Sequence, residues 1–294
     1  MKILVSGLLE ENSGKTVIAS SLINFLINQG FDAIGFKPLG ATELWQHPEA
    51  LSESKKYKMV VTNDSAILYK FSKEKEPINI INPFGGLLVP ILPEKLRNLN
   101  IFNNALYMPN MRLAISRLTM CPNSSLHNIH LVNMNVMDRI SKSVEYELLD
   151  LISLLDNIAK VDDEYILNII SGGVSKEIDK CLSYLEGRHE IVVIESNSNV
   201  AAPTLLSSIV DIAIVVTPGE AMVIDGNRYR KAIELLTSNG KPWTIKTQEV
   251  IQLTNYIFSV ELPLLEDQLS VYDYNTLNYL LEYINEIKKD NHIS

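Results

Sequence analysis

Apolar residues run in short blocks along this chain, and the period of the blocks changes from one to the next. Residues 2–6 (Lys2-Ile3-Leu4-Val5-Ser6) form a brief β-rich run, short enough to be a buried strand. Residues 15–29 carry Val17, Ile18, Leu22, Ile23, Phe25 and Leu26, a spacing that predicts a helix packed on a sheet. Gly30 stands where a helix C-terminal glycine belongs. Residues 32–36 read as a second strand. Strand, loop, helix and strand in succession favour a parallel sheet with right-handed crossovers.

Residues 42–62 read as a polar excursion with a charged stretch from Glu53 to Lys58, and 65–72 as a helix headed by Asp64. Residues 77–111 hold Pro77, Pro83, Pro90, Pro93, Pro109 and the Gly85-Gly86 pair; they read as loops and short helices covering a site. A strand is expected at 128–134, an amphipathic helix at 143–159, a buried strand at 165–170 and a helix at 174–186 after Gly172-Gly173. Strands at 190–194 and 212–216 follow, then a helix at 221–238, short strands at 242–246 and 257–260, and a closing helix at 274–289. The fold expected is α/β, a doubly wound and mostly parallel sheet. It is read as one domain over 1–294, with 85–160 an insertion or lid.

The 294 residues, 46% hydrophobic and 21% charged, suit one large globular unit, since single cores stop growing near roughly 250–300 residues. A net charge of −9 argues against non-specific binding to nucleic acid or anionic membrane. No apolar run approaches the ~18–20 residues of a membrane span. The N-terminal apolar run is too short for a signal peptide. Cys121 and Cys181 have no metal-ligand spacing and are expected as two separate thiols in a reducing cytosol. The expected location is cytoplasmic.

The chemistry begins after the first strand, at Gly7-Leu8-Leu9-Glu10-Glu11-Asn12-Ser13-Gly14-Lys15-Thr16. A strand, a loop ending Gly-Lys-Thr and a helix are the context of the P-loop, or Walker A motif, of NTPases. In such a loop, backbone N–H groups point inward at phosphate oxygens and the helix dipole adds to their field. Glu11, Asn12, Ser13, Gly14, Lys15, Thr16 and Val17 are the expected nucleotide contacts. Lys15 would reach the β- and γ-phosphates, and the Thr16 hydroxyl would bind Mg²⁺. The general pattern places a glycine where this chain has Leu9; Gly7 lies two residues earlier.

With Gly35-Phe36-Lys37-Pro38-Leu39-Gly40 the chain resembles the dethiobiotin synthetase family. Relatives of that family include ATP-dependent amidoligases of cobyrinate synthesis and the synthetase-like N-terminal domain of some phosphotransacetylases. The resemblance implies that Lys37, in the Lys-Pro step after the second strand, is a catalytic amine beside the transferring phosphate. It implies that Asp64, in Thr62-Asn63-Asp64-Ser65, binds Mg²⁺; Asp is also a favoured helix N-cap. Asn82-Pro83-Phe84 matches as a topological marker. Glu195 ends the apolar run Ile191-Val192-Val193-Ile194, at the sheet edge where open α/β folds bind ligands, and it resembles the family's metal-binding glutamate. Lys246, in Lys246-Thr247-Gln248, falls near where related folds read the base.

The resemblance covers residues 1–84 and about 185–260. It departs after Glu195, where Ser196-Asn197-Ser198-Asn199 replaces a glycine-rich, substrate-binding stretch. Asparagine tolerates left-handed backbone angles, so the turn is expected to survive there without the family's substrate contacts. The chain is therefore not read as a dethiobiotin synthetase proper. The function expected is Mg²⁺-dependent ATP binding and hydrolysis, with the γ-phosphoryl group passed to an unknown small acid in ligase or kinase style. GTP in place of ATP stays open, as does a nucleotide-binding regulatory or switch module. The resemblance also implies a homodimer.

Weaker signals complete the reading. Ser171-Gly172-Gly173 offers either anion-binding amides or only a tight left-handed step. His127 and His130, three apart on a strand, should point to opposite faces and not share a metal. Asp162-Asp163-Glu164 reads as a solvated loop.

Overall fold

The computed structural model describes residues 1–121, 127–237, 239–265 and 271–291. In chain order the strands are β1 (Lys2–Gly7), β2 (Ala33–Phe36), β3 (Leu39–Glu43), β4 (Phe84–Leu88), β5 (Leu113–Met120), β6 (His127–Asn133), β7 (Ile158–Val161), β8 (Ile191–Glu195), β9 (Ile212–Thr217), β10 (Glu220–Asp225) and β11 (Phe258–Glu261). The helices are α1 (Lys15–Asn28), α2 (Glu49–Tyr57), α3 (Asn63–Phe71), α4 (Ile78–Ile81), α5 (Leu99–Leu106), α6 (Met134–Met137), α7 (Lys142–Ser153), α8 (Asp163–Asn168), α9 (Ser175–Glu186), α10 (Gly226–Leu236), α11 (Thr247–Ile251) and α12 (Tyr274–Asn291). The chain is α/β. It divides into two compact units: Met1–Pro38, Ile67–Pro77 and Leu182–Ser294 form the first, Leu39–Ala66 and Ile78–Cys181 the second. The sequence reading expects one domain with 85–160 inserted; the second unit instead starts at Leu39 and takes in all of that segment.

The first unit is built on a six-stranded sheet in the order β11-β10-β9-β1-β8-β2. β9, β1, β8 and β2 run parallel, and β10 and β11 add an antiparallel edge. The parallel strands are nearly continuous apolar runs because both faces are covered; Ile191, Val192, Val193 and Ile194 are all buried. α1 buries Ile18, Leu22, Ile23 and Leu26, the stripe that its helical spacing predicts. Gly35 in β2 lets α1 and α3 come close, since a Cβ there would lie 2.9 Å from Ile23 Cδ1 and 3.1 Å from Leu68 Cβ. The chain leaves β1 for β2 on one side and reaches β9 on the other, the kind of switch point at which open α/β sheets bind ligands beyond the carboxyl ends of their strands.

The second unit has a five-stranded mixed sheet in the order β3-β4-β5-β6-β7. Its outer pairs are parallel and its inner pairs antiparallel. Val60, Leu87, Ile115, Val132, Leu148 and Leu151 lie in its core. Arg117 is fully buried there, and its partners are neutral: the carbonyls of Val60, Asn79 and Asn82, and the Thr119 hydroxyl. Burial pulls its guanidinium down to about 9. His130 is buried, with Nδ1 donating to the Asp156 carbonyl at 2.7 Å, whereas His127 is exposed.

Several expected elements are replaced, each for a local reason. The strand expected at 165–170 is helix α8. Asp162 caps it by accepting from Tyr165 N–H at 2.9 Å, and only Ile166 and Ile169 of the run are buried, a helical spacing of three. The acidic triplet read as a loop is thus its cap and first turn. The helix expected over 221–238 begins at Gly226. β10 comes first because Pro218-Gly219 makes a two-residue hairpin, with Gly219 at φ 88°, as a Pro-Gly turn with a left-handed second residue requires.

The helix expected over 143–159 stops at Ser153, and Asn157 at φ 52° turns the chain into β7. The strand expected at 242–246 is a 3₁₀ turn over Pro242–Thr244. The polar excursion at 42–62 holds α2, which buries Ala50 and Ser54 four apart. The Gly85-Gly86 pair lies in β4, within the segment expected as loops and short helices: a Cβ at Gly86 would meet Leu113 Cδ1 at 2.5 Å, so glycine leaves room for the leucine of the neighbouring strand. No separate thiols are found. β5 and α9 bring the Cα atoms of Cys121 and Cys181 to 5.2 Å, and the two are disulfide-bonded. Among the described residues, no helix is long and apolar enough to cross a membrane.

Candidate functional site

The site of the first unit is assembled from loops at the carboxyl ends of parallel strands. After β1 the chain runs through Leu8–Ser13 to Gly14 and enters α1. Two left-handed residues, Asn12 at φ 55° and Gly14 at φ 88°, curl it; backbone of this kind makes anion-binding concavities of N–H groups. Ser13 ties the loop to itself. Its buried hydroxyl donates to Leu9 O at 2.8 Å and accepts from Leu9 N–H at 3.2 Å. The far end is anchored by Leu8 N–H to Val216 O at 3.0 Å and by Gln248 Nε2 donating to Leu8 O at 2.9 Å.

The displaced glycine now has a reason. A Cβ on Gly7 would stand 2.6 Å from Ser13 Oγ and 2.9 Å from Lys15 Nζ, so the Lys15 ammonium folds back over Gly7. Leu9, 42% exposed, meets no such demand. Gly7→Ala is expected to cost about 1–3 kcal/mol of stability by overpacking, and to lower affinity for an anionic ligand as Lys15 and Ser13 shift. Thermal melting and titration with ATP check this; wild-type affinity in the variant would refute the role given to Gly7.

Thr16, Lys37 and Glu195 come together. Glu195 at the end of β8 is 1% exposed, and Lys37 just after β2 is 3% exposed. Their strands are paired in register, Phe36 opposite Ile194, which sets the two side chains at one sheet edge. Lys37 Nζ donates to Glu195 Oε1 at 2.6 Å and to the Ser196 carbonyl at 3.3 Å. The Thr16 hydroxyl donates to the same Oε1 at 2.8 Å. A buried carboxylate thus faces an ammonium and a hydroxyl, and breaking such a pair typically costs about 3–5 kcal/mol.

Glu11 and Asn12 are exposed on the loop, and Val17 is partly buried in the first turn of α1. Lys246 Nζ lies 3.5 Å from Glu10 Oε1, both exposed. Its segment is tied to the loop after β8: Ala201 N–H donates to Ile245 O, and Thr247 N–H and Oγ1 both donate to Asn199 O. In that loop Ser198, not an asparagine, takes the left-handed step, at φ 46°. Asp64 stands in the first turn of α3, within the second unit.

Tyr229 is a support that the sequence does not flag, being a lone tyrosine on α10. Its fully buried hydroxyl donates to Ala201 O at 3.0 Å and meets Ser6 Oγ at 3.1 Å, joining the end of β1 to the loop beyond Glu195. Burial pushes this phenol up to about 12, so it stays neutral. Among the described residues, no group of three or more His, Cys, Asp or Glu side chains forms a metal cage. The chain matches no protein-family model and no curated protein.

Proposed function

We propose that the first unit binds ATP with Mg²⁺ on the Gly7–Thr16 loop, as a P-loop NTPase of the dethiobiotin synthetase-like kind. The observation that carries this reading is the convergence on Glu195 Oε1 of the Thr16 hydroxyl and the Lys37 ammonium, beside a loop on which Lys15 curls over Gly7. The donor set fits Mg²⁺. Thr16 and Glu195 offer hard oxygens, and this ion commonly takes few protein ligands and completes its shell with water and phosphate. When bound, the ion would offset negative charge on the phosphates.

In this reading Lys15 grips the β- and γ-phosphates, and the loop's N–H groups orient them. Lys37 spreads the charge that develops on the transferred group, work that is mainly positioning and electrostatic. An oxygen of the small acid attacks the γ-phosphorus as the bond to the β–γ bridging oxygen breaks, giving an acyl phosphate and ADP. A homodimer in the cytoplasm belongs to the same reading.

A second reading has its own support. The loop after Glu195 lacks glycine, and its backbone is engaged with Ile245 and Thr247, which favours a nucleotide-binding switch without an acceptor. Isothermal titration with ATP, GTP and a non-hydrolysable analogue, beside a phosphate-release assay, separates the cases. Mg²⁺-dependent ATP binding is expected. Binding without turnover under any small acid would favour the switch, and failure to bind either nucleotide would sink both readings.

A further inference from the structure

Glu195 Oε1 holds two donors at once, the Lys37 ammonium at 2.6 Å and the Thr16 hydroxyl at 2.8 Å. A divalent cation on either oxygen of this carboxylate would stand within one carboxylate's width of a buried ammonium. Like charges repel strongly at that range in a water-poor site. The hydroxyl can turn a lone pair toward a metal, but an ammonium has none to offer. Lys37 is therefore the group that must leave.

It cannot leave without a destination. Its side chain is 4% exposed, and moving a lysine off its carboxylate inside the protein breaks a buried ion pair at a large cost in stability. A hydrated metal ion supplies no anion to receive it, whereas a phosphate chain does.

We infer that Lys37 is a specificity-determining residue: its ammonium occupies the cation position on Glu195 in the ligand-free protein, so the site admits a divalent metal only together with a phosphate chain. The inference rests on the nucleotide reading above. It makes metal and nucleotide binding mutually dependent through one side chain, and such coupling is reciprocal. It also separates two duties of Lys37, excluding free metal before the nucleotide arrives and facing the phosphates afterwards.

Mn²⁺ provides the probe, because its EPR signal counts bound metal without any turnover. Free Mn²⁺ is expected to bind Lys37→Met more tightly than wild type by about tenfold or more, within the usual range of coupling between sites. Lys37→Arg, which keeps the charge, should behave as wild type. With the ATP analogue AMP-PNP present, wild type should take up Mn²⁺ as well. Equal free-metal affinity in wild type and Lys37→Met, with AMP-PNP binding intact, would overturn this inference and leave the nucleotide reading standing. No AMP-PNP binding by wild type in the presence of Mn²⁺ would overturn both.

Lys37→Met leaves a buried carboxylate with one donor fewer, so Lys37→Gln, which can still hydrogen-bond it, is the second variant. Acetic anhydride footprinting of the wild type serves if neither folds. Lys37 should stay protected in Mn²⁺ alone and change its labelling when AMP-PNP is added. Labelling of Lys37 induced by Mn²⁺ alone would refute the proposal.

Discussion

Lys15→Met is expected to weaken ATP binding severely while leaving the protein folded. Lys15 is the first residue of α1 and is 8% exposed, so methionine keeps the methylene packing while removing the charge and the bonds that the ammonium makes. Losing one partner of a buried, hydrogen-bonded charge pair costs about 2–5 kcal/mol, a fall in affinity of roughly 30- to 5000-fold. Lys15→Arg should not rescue it, since Lys15 Nζ already lies 2.9 Å from where a Gly7 Cβ would stand and a guanidinium needs more room. Isothermal titration measures the loss, and circular dichroism with a thermal melt verifies the fold. ATP affinity unchanged in Lys15→Met would remove this loop from any account of nucleotide binding.

The second large effect concerns stability. Cys121 and Cys181 close a loop across a sequence separation of 60, and chain-entropy arguments assign such a closure about 4 kcal/mol. Cys121→Ser with Cys181→Ser, or reduction of the wild type, should lower the unfolding midpoint in urea accordingly. Cys181 is fully buried on α9, so reduction in the folded state should be slow and should quicken as urea loosens the second unit. Thiol titration in denaturant without reductant decides whether the bond forms. Two free thiols, or a midpoint indifferent to reductant, would defeat the prediction. Disulfides are rare in a reducing cytosol, so finding this one in protein taken from cells would also weigh against the cytoplasmic location proposed above.

The first unit was the more legible half because its signals are local. Ile3 to Val5 and Ile191 to Ile194 are continuous apolar runs, and only parallel strands buried on both faces need such runs. The helix after Lys15 declares itself through Ile18, Leu22 and Leu26. Glu195 was readable because a carboxylate directly after a buried strand has few places to go except the sheet edge. Its contact with Lys37 and Thr16 was not, since pairing across 158 and 179 residues has no local pattern.

The second unit was harder to read for a physical reason. Its inner strands are glycine-bearing or partly polar, as with Gly85, Ser116, Arg117 and Thr119, and alternation is blurred where polar side chains are buried against one another. The apolar run at 165–170 suggests a strand, but Asp162 caps a helix there. The apolar spacing over 221–238 suggests one helix, but the Pro218-Gly219 hairpin turn makes its first part a strand.

The position of β1 bears on how this protein comes to exist at all. The amino terminus of Met1 bonds the carbonyl of Glu190, 189 residues away, and Lys2 N–H bonds the Asp211 carboxylate, 209 residues away. A ribosome adding roughly 5–20 residues per second needs about 10–40 s to make those partners. Until then the central strand of the first sheet is an apolar segment with both edges unpaired, while most of the second unit has already emerged. Contacts this distant also slow folding after release. An apolar strand with both edges open invites pairing with other chains, so shielding β1 during synthesis becomes a condition for building the first sheet.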